Sequence, residues 1–194
     1  FPKSFIENKG QWDPKVKFRA NLPGGSFFIT DSGFTVVQYR GEDLRQTHPP
    51  FKTSGSGSSS SNDDPRRERP SVRAHAYKVV FEKSAAAPDI QMDQAKEFGT
   101  NYLRGNDPNK WVRNVKRYGE VIIKNLYKGI DLRYYTKDGT LNYDFIVKPG
   151  GVVEDISMKF SGAEKISVSK KNELLIKTSV GIAKELKPFS YTGM

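Results

Sequence analysis

The chain contains no cysteine. That single absence excludes a disulfide framework, a thiolate zinc site and a cysteine nucleophile together. Histidine is nearly as scarce: only His48 and His75 occur. A nucleophilic serine needs a base held rigidly beside it. His48 instead sits beside Pro49 and Pro50 at the start of a Gly/Ser-rich stretch, and His75 stands at its exit. Both read as solvated or strand-end histidines. No His-Glu-x-x-His, no Asp-x-Asp-x-Asp-Gly loop and no GxxxxGK[ST] phosphate cradle is present. The acidic pair Asp63-Asp64 lies among serines and reads as solvated charge. No metal and no cofactor is therefore expected. A run of about 18 apolar residues, the minimum for a spanning helix, is also lacking, so no membrane span is expected.

What is present is a basic chain of 194 residues, with 32 Lys+Arg against 22 Asp+Glu and a net charge of +10. Such a balance favours polyanions as partners, whether nucleic acid, acidic glycan or an anionic surface. A chain of this length buries about 70% of its unfolded surface and needs no staple to fold. It opens at Phe1-Pro2-Lys3 and stops at Ser190-Tyr191-Thr192-Gly193-Met194, which reads as a piece of a longer polypeptide.

Strand signals dominate. Val16–Ala20 alternates, Pro23-Gly24-Gly25 turns, and Ser26–Thr30 leads through Asp31-Ser32-Gly33 into Phe34–Arg40. Residues 46–73 break the pattern with a Gly/Ser tract and a mixed-charge run that includes Arg66, Arg67, Arg69 and Arg73. This stretch reads as a flexible insert within one domain spanning 1–194. Ala76–Lys83 resumes as strand, and Gly99–Arg104 follows. Asp107-Pro108 has the pattern of an N-cap with proline at the first helical position, which predicts a short helix near 107–117. Val121–Lys124, Ile130–Thr136, Leu141–Val147, Ile156–Phe160, Ile166–Ser169, Glu173–Thr178 and Ile182–Leu186 then recur between turn residues. Short strands at intervals of about 8–12 residues predict an all-β fold, an antiparallel sandwich or barrel-like sheet of about 10–12 strands.

Three groups of residues are candidates for function. Lys110, Trp111, Arg113, Lys116 and Arg117 form a basic and aromatic run. On a helix Lys110, Arg113 and Arg117 would share one face, suited to phosphates or sulfated sugars, while Trp111, Val115 and Tyr118 would pack inward. Tyr134 and Tyr135 are candidates for outward aromatics of a sugar-binding face. Asp131 and Asp144 lie on neighbouring predicted strands, each between apolar residues, so both should point away from the core. They are either a glycoside-hydrolase carboxylate pair or partners of outer-face cations such as Arg133 and Lys148.

Several longer runs carry a resemblance. They are Phe5-Ile6-Glu7-Asn8-Lys9-Gly10-Gln11-Trp12, the run from Asn101 to Trp111 (NYLRGNDPNKW), and the run from Asn125 to Leu132 (NLYKGIDL). Tyr143 to Gly150 (YDFIVKPG) and Lys187-Pro188-Phe189-Ser190-Tyr191 complete the set. Together the chain resembles a domain of unknown function found near the N-terminus of large exported proteins, mainly of Bacteroidota. The resemblance implies parent proteins with SBBP repeats, PKD or other Ig-like modules, and a C-terminal sorting domain of the gliding-motility or type IX secretion kind. It implies an extracellular or cell-surface place, an adhesion-related role and no catalytic residues. Gly151-Val152-Val153 departs from the family's Ala-Asp-Pro after the Pro-Gly, so a capped helical turn is not expected there.

The expectation from sequence is thus a non-catalytic structural or interaction module. Its partners would be other domains of its own polypeptide, cell-envelope proteins or glycans, with nucleic acid disfavoured. A carbohydrate- or polyanion-binding module and a hydrolase using Asp131 and Asp144 are the alternatives.

Overall fold

Residues 4–47 and 71–192 are described by the computed structural model. The chain divides into two compact units, Phe1–Val37 with Ala76–Ala163, and Gln38–His75 with Glu164–Met194. In chain order the first seven strands are β1 (Phe5–Glu7), β2 (Val16–Leu22), β3 (Gly25–Thr30), β4 (Gly33–Tyr39), β5 (Ala74–Phe81), β6 (Asp89–Ala95) and β7 (Thr100–Tyr102). They are followed by β8 (Val112–Val115), β9 (Arg117–Tyr127), β10 (Ile130–Lys137), β11 (Thr140–Val147), β12 (Met158–Ser161), β13 (Lys165–Val168), β14 (Leu174–Thr178) and β15 (Gly181–Glu185). One α-helix, α1 (Gly41–Thr47), and two 3-10 turns, Pro108–Lys110 and Val153–Asp155, accompany them.

The all-β, mostly antiparallel expectation holds, with more strands than anticipated. The three not read from the sequence are β1, β6 and β8. The short helix at 107–117 shrinks to the single 3-10 turn Pro108–Lys110. Asp107 does cap it, accepting the Asn109 N–H, but from Val112 onward the backbone is extended. Val112 and Val115 decide this. Both are β-branched and disfavoured in a helix, and Val115 is fully buried in the strand. The α-helix forms instead at Gly41–Thr47, with Glu42 and Asp43 in its first turn and Arg45 in its last, charges that suit the helix dipole. The turn after Pro149-Gly150 forms without a side-chain cap. Most of the predicted flexible insert, residues 48–70, lies outside the described residues, as do His48, Asp63, Asp64, Arg66, Arg67 and Arg69.

The first unit is built on one sheet in the order β11-β10-β9-β1-β2-β3-β4-β5-β12, with β6 also paired to β9. The sheet curls into a half-barrel. Its curl is measured by ring contacts. Phe145 of β11 lies 6.0 Å from Phe81 of β5, and Tyr143 of β11 lies 6.2 Å from Phe34 of β4. β5 is seven strand steps from β11 in the sheet order, which in a flat sheet is roughly 30 Å or more. Tyr134, 0% exposed, sits at the centre, ringed by Phe5, Phe27, Phe34 and Tyr143 at 5.6–6.5 Å. Gly33 lets β4 and β5 approach closely: a Cβ there would run into the Val79 carbonyl oxygen.

In the second unit β13-β14-β15 form a three-stranded sheet, with Ile176 and Thr178 buried on β14. The Thr178 hydroxyl donates to Gln38 Oε1 at 2.9 Å. Asp43 of α1 is buried and takes three bonds from Arg73, through its backbone N–H, Nε and Nη2, at 2.8–3.0 Å. The guanidinium fork holds the Asp43 carboxyl far below the usual carboxylate range. His75 Nδ1 meets the Ser179 hydroxyl at 2.9 Å and accepts the Ser179 N–H at 3.3 Å, so the histidine holds a turn.

Phe34→Ala is expected to destabilise the protein by about 3–5 kcal/mol, through lost burial plus the cavity left in the ring cluster. The checking measurement is thermal unfolding, where Tm should fall by about 6 °C or more. A drop below about 2 °C would show that the cluster does not hold the curl.

Candidate functional site

The question left by the sequence was where Asp131 and Asp144 point. Strand alternation puts Ile130, Leu132 and Tyr134 of β10 on the aromatic side, with Asp131, Arg133 and Tyr135 on the other. Asp144 lies opposite Arg133 in the β10–β11 ladder. Asp131 faces away from the ring cluster, as expected, yet it is 1% exposed. The reason is local. The β9–β10 register shifts between Ile130 and Leu132, because β9 bulges there, with Asn125 in the left-handed region at φ 49°. The Asp131 carboxylate fills that bulge. It accepts the Asn125 N–H at 2.8 Å and the Lys124 and Lys148 ammonium groups at 2.9 and 2.8 Å.

Burial alone would raise the Asp131 pKa. The Asn125 N–H and the two lysines outweigh it and hold the carboxyl at about 2. A group so acidic is ionised at neutral pH and cannot donate a proton to a leaving group. Asp144 accepts the Tyr135 hydroxyl at 3.3 Å. Arg133, across from it, bonds Glu120 at 2.7 Å and stacks over Tyr135 at 4.7 Å. The bland expectation, pairing with outer-face cations, describes Asp131 with Lys148. A hollow of about 560 Å³ is lined by Lys83, Asn125, Tyr127, Lys128, Glu154 and Asp155, among others, and neither Asp131 nor Asp144 lines it. Among the described residues no cluster of three or more His, Asp or Glu side chains is placed to hold a metal ion. Among the same residues no helix is long and apolar enough to cross a membrane.

The tyrosine pair separates. Tyr135 is half-buried on the outer face, while Tyr134 is the centre of the core and presents nothing outward. Adjacent strand residues cannot share a face, so the two were never able to act together.

The basic and aromatic run is brought together differently from the helical expectation. Lys110 ends the 3-10 turn, Trp111 follows it, Arg113 lies in β8 of the β7–β8 hairpin, Lys116 comes just after β8, and Arg117 opens β9. Trp111 Nε1 donates to the Gly105 carbonyl at 3.0 Å, and the Arg113 guanidinium lies over its ring at 5.5 Å. Lys110, Arg113 and Lys116 are exposed. Arg117 is not part of this surface: it is half-buried, its Nε donating to Ser4 Oγ at 3.0 Å.

Beside the hairpin lies the opening loop. Asn8 organises it: its Nδ2 donates to the Asp13 and Val16 carbonyls at 2.9 and 2.7 Å, and its Oδ1 accepts the Gly10 N–H at 3.0 Å. Gly10 has φ 105°, which only glycine adopts at low cost. The turn presents Trp12 edge-on to Tyr102 of β7 at 5.6 Å. Arg19 lies over Trp12 at 5.7 Å and Arg104 over Tyr102 at 6.0 Å. Sequence reasoning missed Trp12, Arg19, Tyr102 and Arg104 as members of one surface. They come from three separate segments, and only the pairing of fold elements adjoins them. Among the described residues Arg104, Lys110, Arg113 and Lys116 have no carboxylate partner, whereas Asp131, Glu120 and Asp43 are each taken up by lysine or arginine.

A protein family described as Domain of unknown function (DUF7948) matches residues 5–194. No curated protein matches the chain, and no solved structure matches it.

Asp131→Asn tests the structural role of the buried carboxylate. Its folded pKa, about 2 against the usual 3.8, means that its stabilisation is present above about pH 4 and is lost as pH falls through 2. The shift corresponds to roughly 2 kcal/mol, or about 4–8 °C in Tm at neutral pH. The variant should lose that amount at pH 7 and converge with the wild type near pH 2. Equal stability of the two proteins at pH 7 in urea titration would refute the assignment.

Proposed function

Since the chain belongs to the family described as Domain of unknown function (DUF7948), we propose that it is a non-catalytic interaction module of a secreted or cell-surface multidomain protein. The observation that carries this reading is the division of labour among charged side chains. Asp131 is locked between two lysines and Asp43 is locked by Arg73, while on the β7–β8 hairpin Arg104 and Arg113 lie over the rings of Tyr102 and Trp111 with no carboxylate taking them up. A hydrolase would invert that pattern, keeping a proton-donating carboxyl poised in a cleft. The resemblance to exported Bacteroidota proteins supports surface placement and a part in adhesion or gliding, with export by a type IX route and the remaining domains of the polypeptide as its neighbours. The runs that carry the resemblance have structural work: Asn8 builds the opening turn, and Asp131 bonds Lys148 across two of the runs.

The test presents the isolated chain to an envelope extract and to a glycan array, and assays every bound glycan for cleavage. Saturable capture without release of reducing ends is the expected result. Release of reducing ends that Asp131→Asn abolishes, with the variant still folded, would overturn the reading in favour of the hydrolase.

A further inference from the structure

One strand is bent in a way that its own pairing does not require. Thr100 and Tyr102 of β7 face Val115 and Val112 of β8, so three steps on β8 oppose two on β7. The extra residue is accommodated at Asn114, left-handed at φ 51°. In a regular strand Arg113 would share the face of Val115, which is 0% exposed. The bulge instead leaves Arg113, Asn114 and Lys116 all exposed around the buried valine. Bulges of this kind re-aim side chains and recur beside functional sites.

The bulge is held from three directions. The Asn101 Oδ1 accepts the Asn114 N–H at 2.8 Å, Lys9 Nζ donates to the Asn114 carbonyl at 3.1 Å, and Glu7 Oε1 accepts the Lys116 N–H at 2.7 Å. Side chains thus supply the bonds that the interrupted ladder cannot, as buried or strained backbone demands. The result exposes Arg113 and Lys116 on either side of the buried Val115, with exposed Lys110 at the end of the preceding 3-10 turn and Arg104 in the hairpin loop. In residues 96–117 six basic side chains stand against two acidic ones, and one of those two, Asp107, is occupied as the turn cap.

We propose that the bulged strand β8 is a binding track for an acidic polysaccharide, gripping its sulfate or carboxylate groups. This rests on the interaction-module reading and names its ligand. A single-stranded nucleic acid needs open ring faces on which bases stack. Here Trp111, Trp12 and Tyr102 each carry a guanidinium over the ring, and Trp12 and Tyr102 pack on each other. The rings serve to orient the guanidinium forks, which suit planar anions.

The test is affinity of the chain for heparin, for polygalacturonate, for neutral dextran and for single-stranded DNA at matched salt. Binding to one or both acidic glycans is expected, with heparin alone assigning sulfate and polygalacturonate assigning carboxylate. The triple variant K110Q/R113Q/K116Q should bind at least about tenfold more weakly and with a shallower salt dependence. K165Q/K170Q/K171Q, which removes the same charge from the β13–β14 hairpin, should bind within about twofold of the wild type. Asn101→Ala, which frees the bulge without touching a cation, should weaken binding by about threefold or more while the fold, read by far-UV circular dichroism, is kept. Equal losses in the two triple variants, tighter binding to DNA than to either glycan, or no glycan binding at all would overturn the proposal. Capture of an envelope protein with silent glycan arms would do so while leaving the interaction-module reading in place.

Discussion

The fold of the larger unit depends on one packing constraint: strands far apart in the sheet must bring their rings into contact. β11 opens the order and β5 is its eighth member, yet Phe145 and Phe81 lie edge to face at 6.0 Å. A single sheet with one apolar face leaves that face in water unless a second layer covers it or the sheet curls on itself. Here it curls. Aromatic side chains are suited to closing such a curve, since each buries a large area and edge-to-face pairs add to it. Tyr134, in contact with rings from β1, β3, β4 and β11, is the point from which the curvature is set.

Curling has a consequence for the polar face. Strands that bend sharply accumulate bulges, and each bulge releases backbone groups from the ladder. One bulge in the curled sheet, in β9, and one in the separate two-stranded β7–β8 sheet are both met by side chains. In β9 the freed Asn125 N–H is met by Asp131, whose own charge is balanced by Lys124 and Lys148. In β8 the freed groups of Asn114 and Lys116 are met by Asn101, Lys9 and Glu7. The two solutions differ in what they leave over. The first ends in a closed, balanced cluster whose carboxylate is buried and spoken for. The second leaves its cations facing out, because the side chains that mend the backbone are not the ones that the bulge re-aims.

Much of the architecture is legible in the residues. Alternation at Leu141, Tyr143, Phe145 and Val147 identifies β11 and its inner face, and Lys137-Asp138-Gly139 identifies the turn before it, with Asp138 and Gly139 both at positive φ. Where the reading failed, the local signal pointed elsewhere. Asp107-Pro108 signals a helix start and does cap a 3-10 turn, but the cap says nothing about how far the helix runs; Val112 and Val115 carried that information. β6, with the sequence DIQMDQA, is an almost wholly exposed strand on β9, so it shows no apolar run to read. Asp131 was placed on the correct face, but its burial was invisible, because it arises from a bulge in the neighbouring strand. The surface of Trp12, Tyr102 and Arg104 was invisible for a similar reason: its members are adjacent only once β7–β8 and the opening loop are docked.

Net charge is often read as a property of a whole chain, yet here its effect depends on position. Lysines paired with Asp131 contribute to the count of 32 basic residues and nothing to the outward field at close range. Lys110, Arg113 and Lys116 contribute fully, and Arg113 does so because the bulge keeps it off the face of Val115. A basic strand with regular alternation would have buried Arg113 beside Val115 at a severe desolvation cost, or lost the valine from the core. Keeping both Val115 in and Arg113 out requires the extra residue, and the extra residue requires Asn101, Lys9 and Glu7. That chain of requirements is why the features most specific to this hairpin are polar groups that bind its backbone, and why a ligand for the strand would be recognised through residues whose importance no charge count reveals.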